Sequence, residues 1–147
     1  MPETAVLVVG GGVAGCELAW GLATRGVPTL LLSTSLDTLY ALPADVWPAQ
    51  PPPGTLWAEI APEAADGLGR QRAGPLRRAA KRQLERLPQL RVVQSNAVAV
   101  LRSDDDAAVQ GVATWEGPPQ RAATTVLAVG SFLGARLMSG TAVEHAG

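Results

Sequence analysis

Ala5-Val6-Leu7-Val8-Val9-Gly10-Gly11-Gly12-Val13-Ala14-Gly15-Cys16-Glu17 is an apolar run that enters a glycine-rich turn and leaves it as a helix. Val6 to Val9 form a short β-branched run of the kind buried on both faces of a parallel sheet. Gly10-x-Gly12-x-x-Gly15 follows at once, with the spacing of a dinucleotide cradle. In that pattern the first glycine allows the tight turn, the second lets the backbone approach a pyrophosphate, and the third lets the helix lie close to the strand. The first N–H groups of the helix have no intrahelical partner and sit at the positive end of its dipole, so an anion is held there without a basic side chain. Glycine-rich turns are common, and three fixed positions alone carry little weight. The order of strand, glycines and helix carries more.

Outward from the turn, Cys16, Ala19, Trp20 and Ala23 recur at helical spacing and predict a helix over Val13 to Arg25, closed by Gly26. Thr29 to Leu32 reads as a second parallel strand joined by a right-handed crossover. Dinucleotide folds usually carry an Asp or Glu at the end of this strand to bind the adenosine ribose. Ser33 stands there, a hydroxyl without the charge-assisted strength of a carboxylate, and Asp37 is the nearest acid. Ser33-Thr34-Ser35 reads equally as a polar loop or the N-cap of a short helix.

Residues 38–69 show no clear period and are punctuated by Pro43, Pro48, Pro51, Pro52, Pro53 and Pro62, which predicts a long proline-rich loop. Trp47 and Trp57 lie in it, suited either to covering a flat ring or, more commonly, to packing the loop onto the domain. Helical spacing returns over Arg70 to Leu90 through Leu76, Ala80, Leu84 and Leu87. Eight of the twelve Lys and Arg residues fall between Arg70 and Arg91, with Glu85 the only acid. That makes 70–91 a candidate RNA-binding patch, against the plainer reading of a solvated helix face without interleaved aromatics.

Leu90 to Val93 predicts a third strand, and residues 97–116 a hairpin insertion around Ser103-Asp104-Asp105-Asp106. The aspartates read as solvated turn formers, with no metal site, because no liganding spacing follows them. Thr124 to Val129 is the last clear strand, ending in Gly130-Ser131, where open α/β sheets hold ligands. Gly134 and Gly140 predict a loose end, with His145 a solvated tail residue.

At 147 residues the chain suits one domain, 1–147. A net charge of −1 gives no global drive toward nucleic acid or anionic membrane, and one cysteine excludes an internal disulfide, as in a reducing cytoplasm. The first apolar run has no basic segment before it and is far short of the ~20 residues that span a bilayer, so a soluble cytoplasmic protein is expected.

Four stretches resemble the flavin-binding part of the glucose-inhibited division protein A family, also called MnmG. They are Val8 to Glu17, with its Gly-Cys-Glu; Leu30 to Thr38, with Ser-Leu-Asp-Thr; Leu76 to Glu85; and Val126 to Leu133. The resemblance implies a Rossmann-like FAD-binding α/β fold: a central parallel sheet with flanking helices and an antiparallel hairpin. Nothing after Gly140 reads as the strand and helix that usually close such folds, so they are expected to be missing. It implies FAD, with the pyrophosphate at Gly10, Gly12 and Gly15 and the helix start at Val13 and Ala14. Ser33 and Thr34 would meet the adenosine, backbone near Asn96 and Ala97 the adenine, and Ala128, Gly130 and Ser131 the diphosphate or ribityl chain.

It further implies an oxidoreductase of unnamed substrate, with NADH or NADPH as candidate electron donor. An RNA-associated module linked to tRNA wobble-uridine modification and an NAD-binding Rossmann protein remain as alternatives. Long members carry a cysteine in the loop after the second strand; here that loop, Tyr40 to Trp47, has none, which points to the short GidA-related branch. Cys16, on the first turn of the cofactor helix, reads as a buried small apolar residue, and no catalytic residue is assigned.

Overall fold

A computed structural model of the chain describes residues 4–46, 50–131 and 133–146. Its centre is β1 (Val6–Val9), flanked by β2 (Thr29–Ser33) on one side and β7 (Thr124–Leu127) on the other. With β3 (Leu90–Gln94) beyond β2, the four form a parallel sheet in the order β3-β2-β1-β7. Val9 stands level with both Leu32 and Leu127, so three strands end together at one rim.

Period-two alternation gives the sheet two apolar faces. Val8 and Leu31 point to the helices, where Cys16, Ala19, Leu39, Ile60, Leu76 and Leu84 are buried. Leu7, Val9, Leu30 and Leu32 point the other way and are covered by Val112 of β5 (Val109–Thr114). β5 is the middle strand of a second, antiparallel sheet between β4 (Ala97–Arg102) and β6 (Gln120–Arg121). The predicted hairpin is therefore a three-stranded cover whose apolar contact makes the central strands buried on both sides.

The first helix, α1, runs Val13–Ala23, two residues shorter than predicted, because Gly26 at φ +82° turns the chain back toward β2. Cys16, Ala19 and Ala23 are buried and Trp20 packs at the core margin.

The proline-rich stretch departs from expectation. Within 38–69 lies α2 (Leu56–Ala64), and Leu36–Thr38 form a 3-10 turn. Leu56, Ile60, Ala61 and Ala64 repeat at helical spacing and are buried. Thr55 caps the helix, its hydroxyl accepting from Ala58 N at 3.2 Å. Pro62 inside the helix costs about 3 kcal/mol, but burying Leu56 and Ile60 contributes about 1.5–3 kcal/mol each. Packing therefore outweighs the proline. Trp57 is half-buried on α2, and its indole N–H donates to the Gln71 side-chain oxygen. Trp47 lies outside the described residues.

The basic helix, α3, spans Ala73–Arg86, shorter than the predicted Arg70 to Leu90. Pro75 falls in its first turn, where no N–H partner is needed. Asp45 caps α3 from outside, accepting from Ala73 N at 2.9 Å and pairing with Arg72 at 2.9 Å. The end of the chain is not loose: β8 (Ala135–Ser139) and β9 (Ala142–Ala146) pair as an antiparallel ribbon through the Gly140 turn. Among the described residues the parallel sheet has four strands.

Candidate functional site

The strand order reverses between β1 and β7, since β2 and β3 extend to one side and the chain then returns to the other. At such a switch point the carboxyl ends of the strands leave a crevice. A cleft of about 1190 Å³ lies there, reaching from the glycine turn to Asn96 and Ala97 and to Gly130. That is somewhat above the ~300–1,000 Å³ usual for small-molecule sites.

The glycine turn is built by steric exclusion. Gly10 adopts φ +118°, and a Cβ on it would lie 2.2 Å from the Ala128 carbonyl oxygen. A Cβ on Gly15 would lie 1.9 Å from the Gly10 carbonyl oxygen, so only glycine lets α1 approach the turn. Gly11, at a variable position of the pattern, is crowded by side chains instead of backbone: its Cβ would meet the Ser33 hydroxyl at 2.3 Å. Gly12 differs, with no atom within 4 Å of a Cβ. The space in front of Gly12 opens onto the cleft, where a Cβ would intrude on a close-lying ligand. No side chain caps the N–H groups that open α1, and its first turn carries no acid. These features fit a dinucleotide pyrophosphate: an open backbone approach, free donors at the positive end of a dipole, and no competing carboxylate.

Of the residues predicted for the site, Gly10, Gly12, Val13, Ala14, Thr34, Asn96, Ala97, Ala128 and Gly130 line the cleft. Three do not. Gly15 lies beneath Gly10 and acts through packing. Ser33 is buried and its hydroxyl donates to the Ser35 carbonyl at 2.9 Å, turned away from the cleft. Ser131 is exposed beside it. Ser35 takes the capping role, its hydroxyl accepting from Asp37 N at 3.2 Å.

Trp115, Leu133 and His145 also line the cleft and were missed. Trp115 stands at the far end of the antiparallel sheet and His145 on the ribbon, so only the fold brings them to the strand ends. Trp115 carried a signal, as a large apolar residue beside the Gly117-Pro118-Pro119 turn that is 76% exposed.

Beneath the cleft, Gly11 O accepts from Tyr40 N at 2.9 Å and from Cys16 Sγ at 3.2 Å. Tyr40 holds a left-handed conformation, φ 58°, to reach it. Burial, backed by the nearby Glu17 charge, pushes the Cys16 thiol up to about 12, so it is an inert packing group. Burial and the Glu17 carboxylate likewise push the Tyr40 hydroxyl upward.

The basic helix is partly neutralised. Lys81 pairs with Asp37 at 3.6 Å, and Arg82 pairs with Glu63. Asp105 accepts from Ser103 Oγ and Ala107 N, while Asp106 pairs with Arg102 at 2.8 Å. Among the described residues no group of three His, Cys, Asp or Glu is placed to hold a metal ion, and no helix is long and apolar enough to cross a membrane.

The profile of the family described as Glucose inhibited division protein A matches residues 5–68 and 63–147. The tRNA uridine 5-carboxymethylaminomethyl modification enzyme MnmG of Chlamydia muridarum is 33% identical over 95% of this chain and 27% of its own length. The chain thus spans about a quarter of that relative. The crystal structure of the GidA-related protein from Thermus thermophilus superposes with a TM-score of 0.80 at 41% identity, covering 98% of this chain and 60% of that one. Aquifex aeolicus GidA shares the fold, with a TM-score of 0.70 at 21% identity over 96% of this chain and 27% of that one. The glycine turn, the switch-point cleft and these matches agree: the chain belongs to the glucose-inhibited division protein A family.

Proposed function

We propose that this chain is the FAD-binding part of a GidA-related flavoprotein and acts in an oxidoreductase. The observation that carries the reading is the open space in front of Gly12 between the uncapped start of α1 and the switch-point cleft. Gly10 and Gly15 shape the turn, the N–H groups of Val13 and Ala14 face the pyrophosphate, and backbone at Asn96 and Ala97 orients the adenine. Bound FAD supplies the redox chemistry, and the residues around it set its position and exclude water. Protein purified under native conditions and mixed with FAD is expected to keep a yellow chromophore through gel filtration. A colourless product that binds NADH instead would assign the cradle to a nicotinamide dinucleotide.

A second reading has support of its own. Relatives carry the name of a tRNA uridine modification enzyme. Arg78 and Arg86 of α3 are exposed, with no acidic partner among the described residues. In this reading α3 contributes to a tRNA surface beside the flavin. Binding of tRNA that falls steeply from low to moderate salt supports it; no binding at low salt removes it.

A further inference from the structure

The cleft of this family member lacks the acid that usually follows the second strand, and the fold supplies another from a distant turn. A smaller recess of about 270 Å³ is lined by Thr34, Gln94, Ser95, Asn96 and Glu116. It shares Thr34, Ser95 and Asn96 with the main cleft, so the two are continuous at the carboxyl ends of β2 and β3. Neither residue near the expected position can serve. Ser33 turns its hydroxyl inward to Ser35 O. Asp37 points outward, its side chain 94% exposed, and pairs with Lys81.

Glu116 is carried to the site by the turn between β5 and β6. Two hydrogen bonds fasten that turn to the strand ends: Ser95 Oγ donates to Glu116 O at 3.2 Å, and Trp115 N donates to Asn96 O at 2.9 Å. The Glu116 carboxylate has no hydrogen-bond or ion-pair partner among the described residues. No Lys or Arg lines either recess. An unpaired carboxylate in a polar recess beside the residue after the second strand is an acceptor for vicinal hydroxyls.

We propose that Glu116 binds the adenosine ribose hydroxyls of the dinucleotide and selects against a 2′-phosphate on that ribose. The inference rests on the dinucleotide reading above. A 2′-phosphate would face Glu116 with no cationic side chain to offset it, whereas two hydroxyls donate to it in charge-assisted bonds.

The test uses the purified chain, FAD titrated by fluorescence, and ADP-ribose or 2′-phospho-ADP-ribose as competitors. Wild type is expected to bind ADP-ribose at least about tenfold more tightly than its 2′-phosphate. Glu116→Gln is expected to lose most of that preference and to bind FAD about three- to tenfold more weakly, with an unchanged circular dichroism spectrum. Glu116→Gln that titrates like wild type, or a wild type that takes both competitors equally, overturns the proposal. ADP-ribose binding with the preference, read directly by calorimetry, but no FAD binding keeps the Glu116 assignment and rejects the flavin reading. No binding of any adenine dinucleotide rejects both.

Discussion

Glu17 accepts the Tyr40 hydroxyl at 2.5 Å, and the same carboxylate receives Leu56 N at 2.8 Å and Trp57 N at 2.9 Å. One side chain on α1 therefore caps α2 and holds the segment whose Tyr40 N–H fixes Gly11 O. The Glu of Gly-Cys-Glu is a clamp under the glycine turn, which accounts physically for its place in the motif. A carboxylate capping a helix start also meets the positive end of its dipole. Glu17→Ala is expected to destabilise the chain by about 2–3 kcal/mol, measured by urea unfolding, because two backbone donors and a buried hydroxyl lose their acceptor. Tyr40→Phe removes one of these bonds and should cost about 1 kcal/mol.

The glycines separate by what a methyl would meet. Gly15→Ala places Cβ against the Gly10 carbonyl and should lower stability by several kcal/mol, about 3 or more, or abolish folding. Gly12→Ala meets open space at an extended backbone position and should cost about 1 kcal/mol or less. Its flavin affinity should nevertheless fall at least about tenfold, since the methyl projects where the ligand approaches. Thermal unfolding read beside FAD titration checks this pair, and equal effects on both readouts for both variants would contradict the assignment.

Cys16 should resist alkylation. Its folded value of about 12, against an ordinary 9.0, leaves almost no thiolate at pH 8. Mass spectrometry after iodoacetamide should find native protein unmodified and unfolded protein labelled once. Because the folded value is raised, the thiol's contribution to stability is complete below pH 9, declines as pH rises toward 12 and is lost above it. Cys16→Ala should flatten that decline.

Asp45 holds the start of α3 through Ala73 N and Arg72. Arg72, at the N-cap position, makes no capping bond with its own side chain. Asp45→Ala should cost about 1 kcal/mol, most of it from the lost cap because the exposed ion pair adds little. Hydrogen exchange should quicken at the first turn of α3 and stay unchanged in α1.

Local order was legible in the residues themselves. Val6 to Gly15 specifies strand, turn and helix because the left-handed φ of Gly10, the Gly15 contact with the Gly10 carbonyl and the apolar β-branched run all act over a few residues. The same holds for α3, whose Leu76, Ala80 and Leu84 mark its buried face. Alternation placed β4 and β5, though not the face they cover, since Val112 meets Leu30 and Leu32 only when the chain folds back. α2 was hidden because prolines mask its period and because, beside the local Thr55 cap, its first N–H groups are held by Glu17, thirty-nine residues away from Leu56.

The site divides along the same line. The order of strand, glycines and helix is a property of contiguous sequence, while Ala128, Ser33 and Tyr40, brought up by the fold, complete the contacts of the turn. The cleft is not: Trp115, Glu116 and His145 reach it from the cover and the ribbon, and their sequence positions say nothing of β2. Sequence alone determined the strand, glycine turn and uncapped helix start of Gly10 to Gly15, the pattern of an anion cradle, through backbone geometry that is largely local. Tertiary structure alone decided which side chains line the rest of the cleft, because long-range packing sets which turns meet at the strand ends.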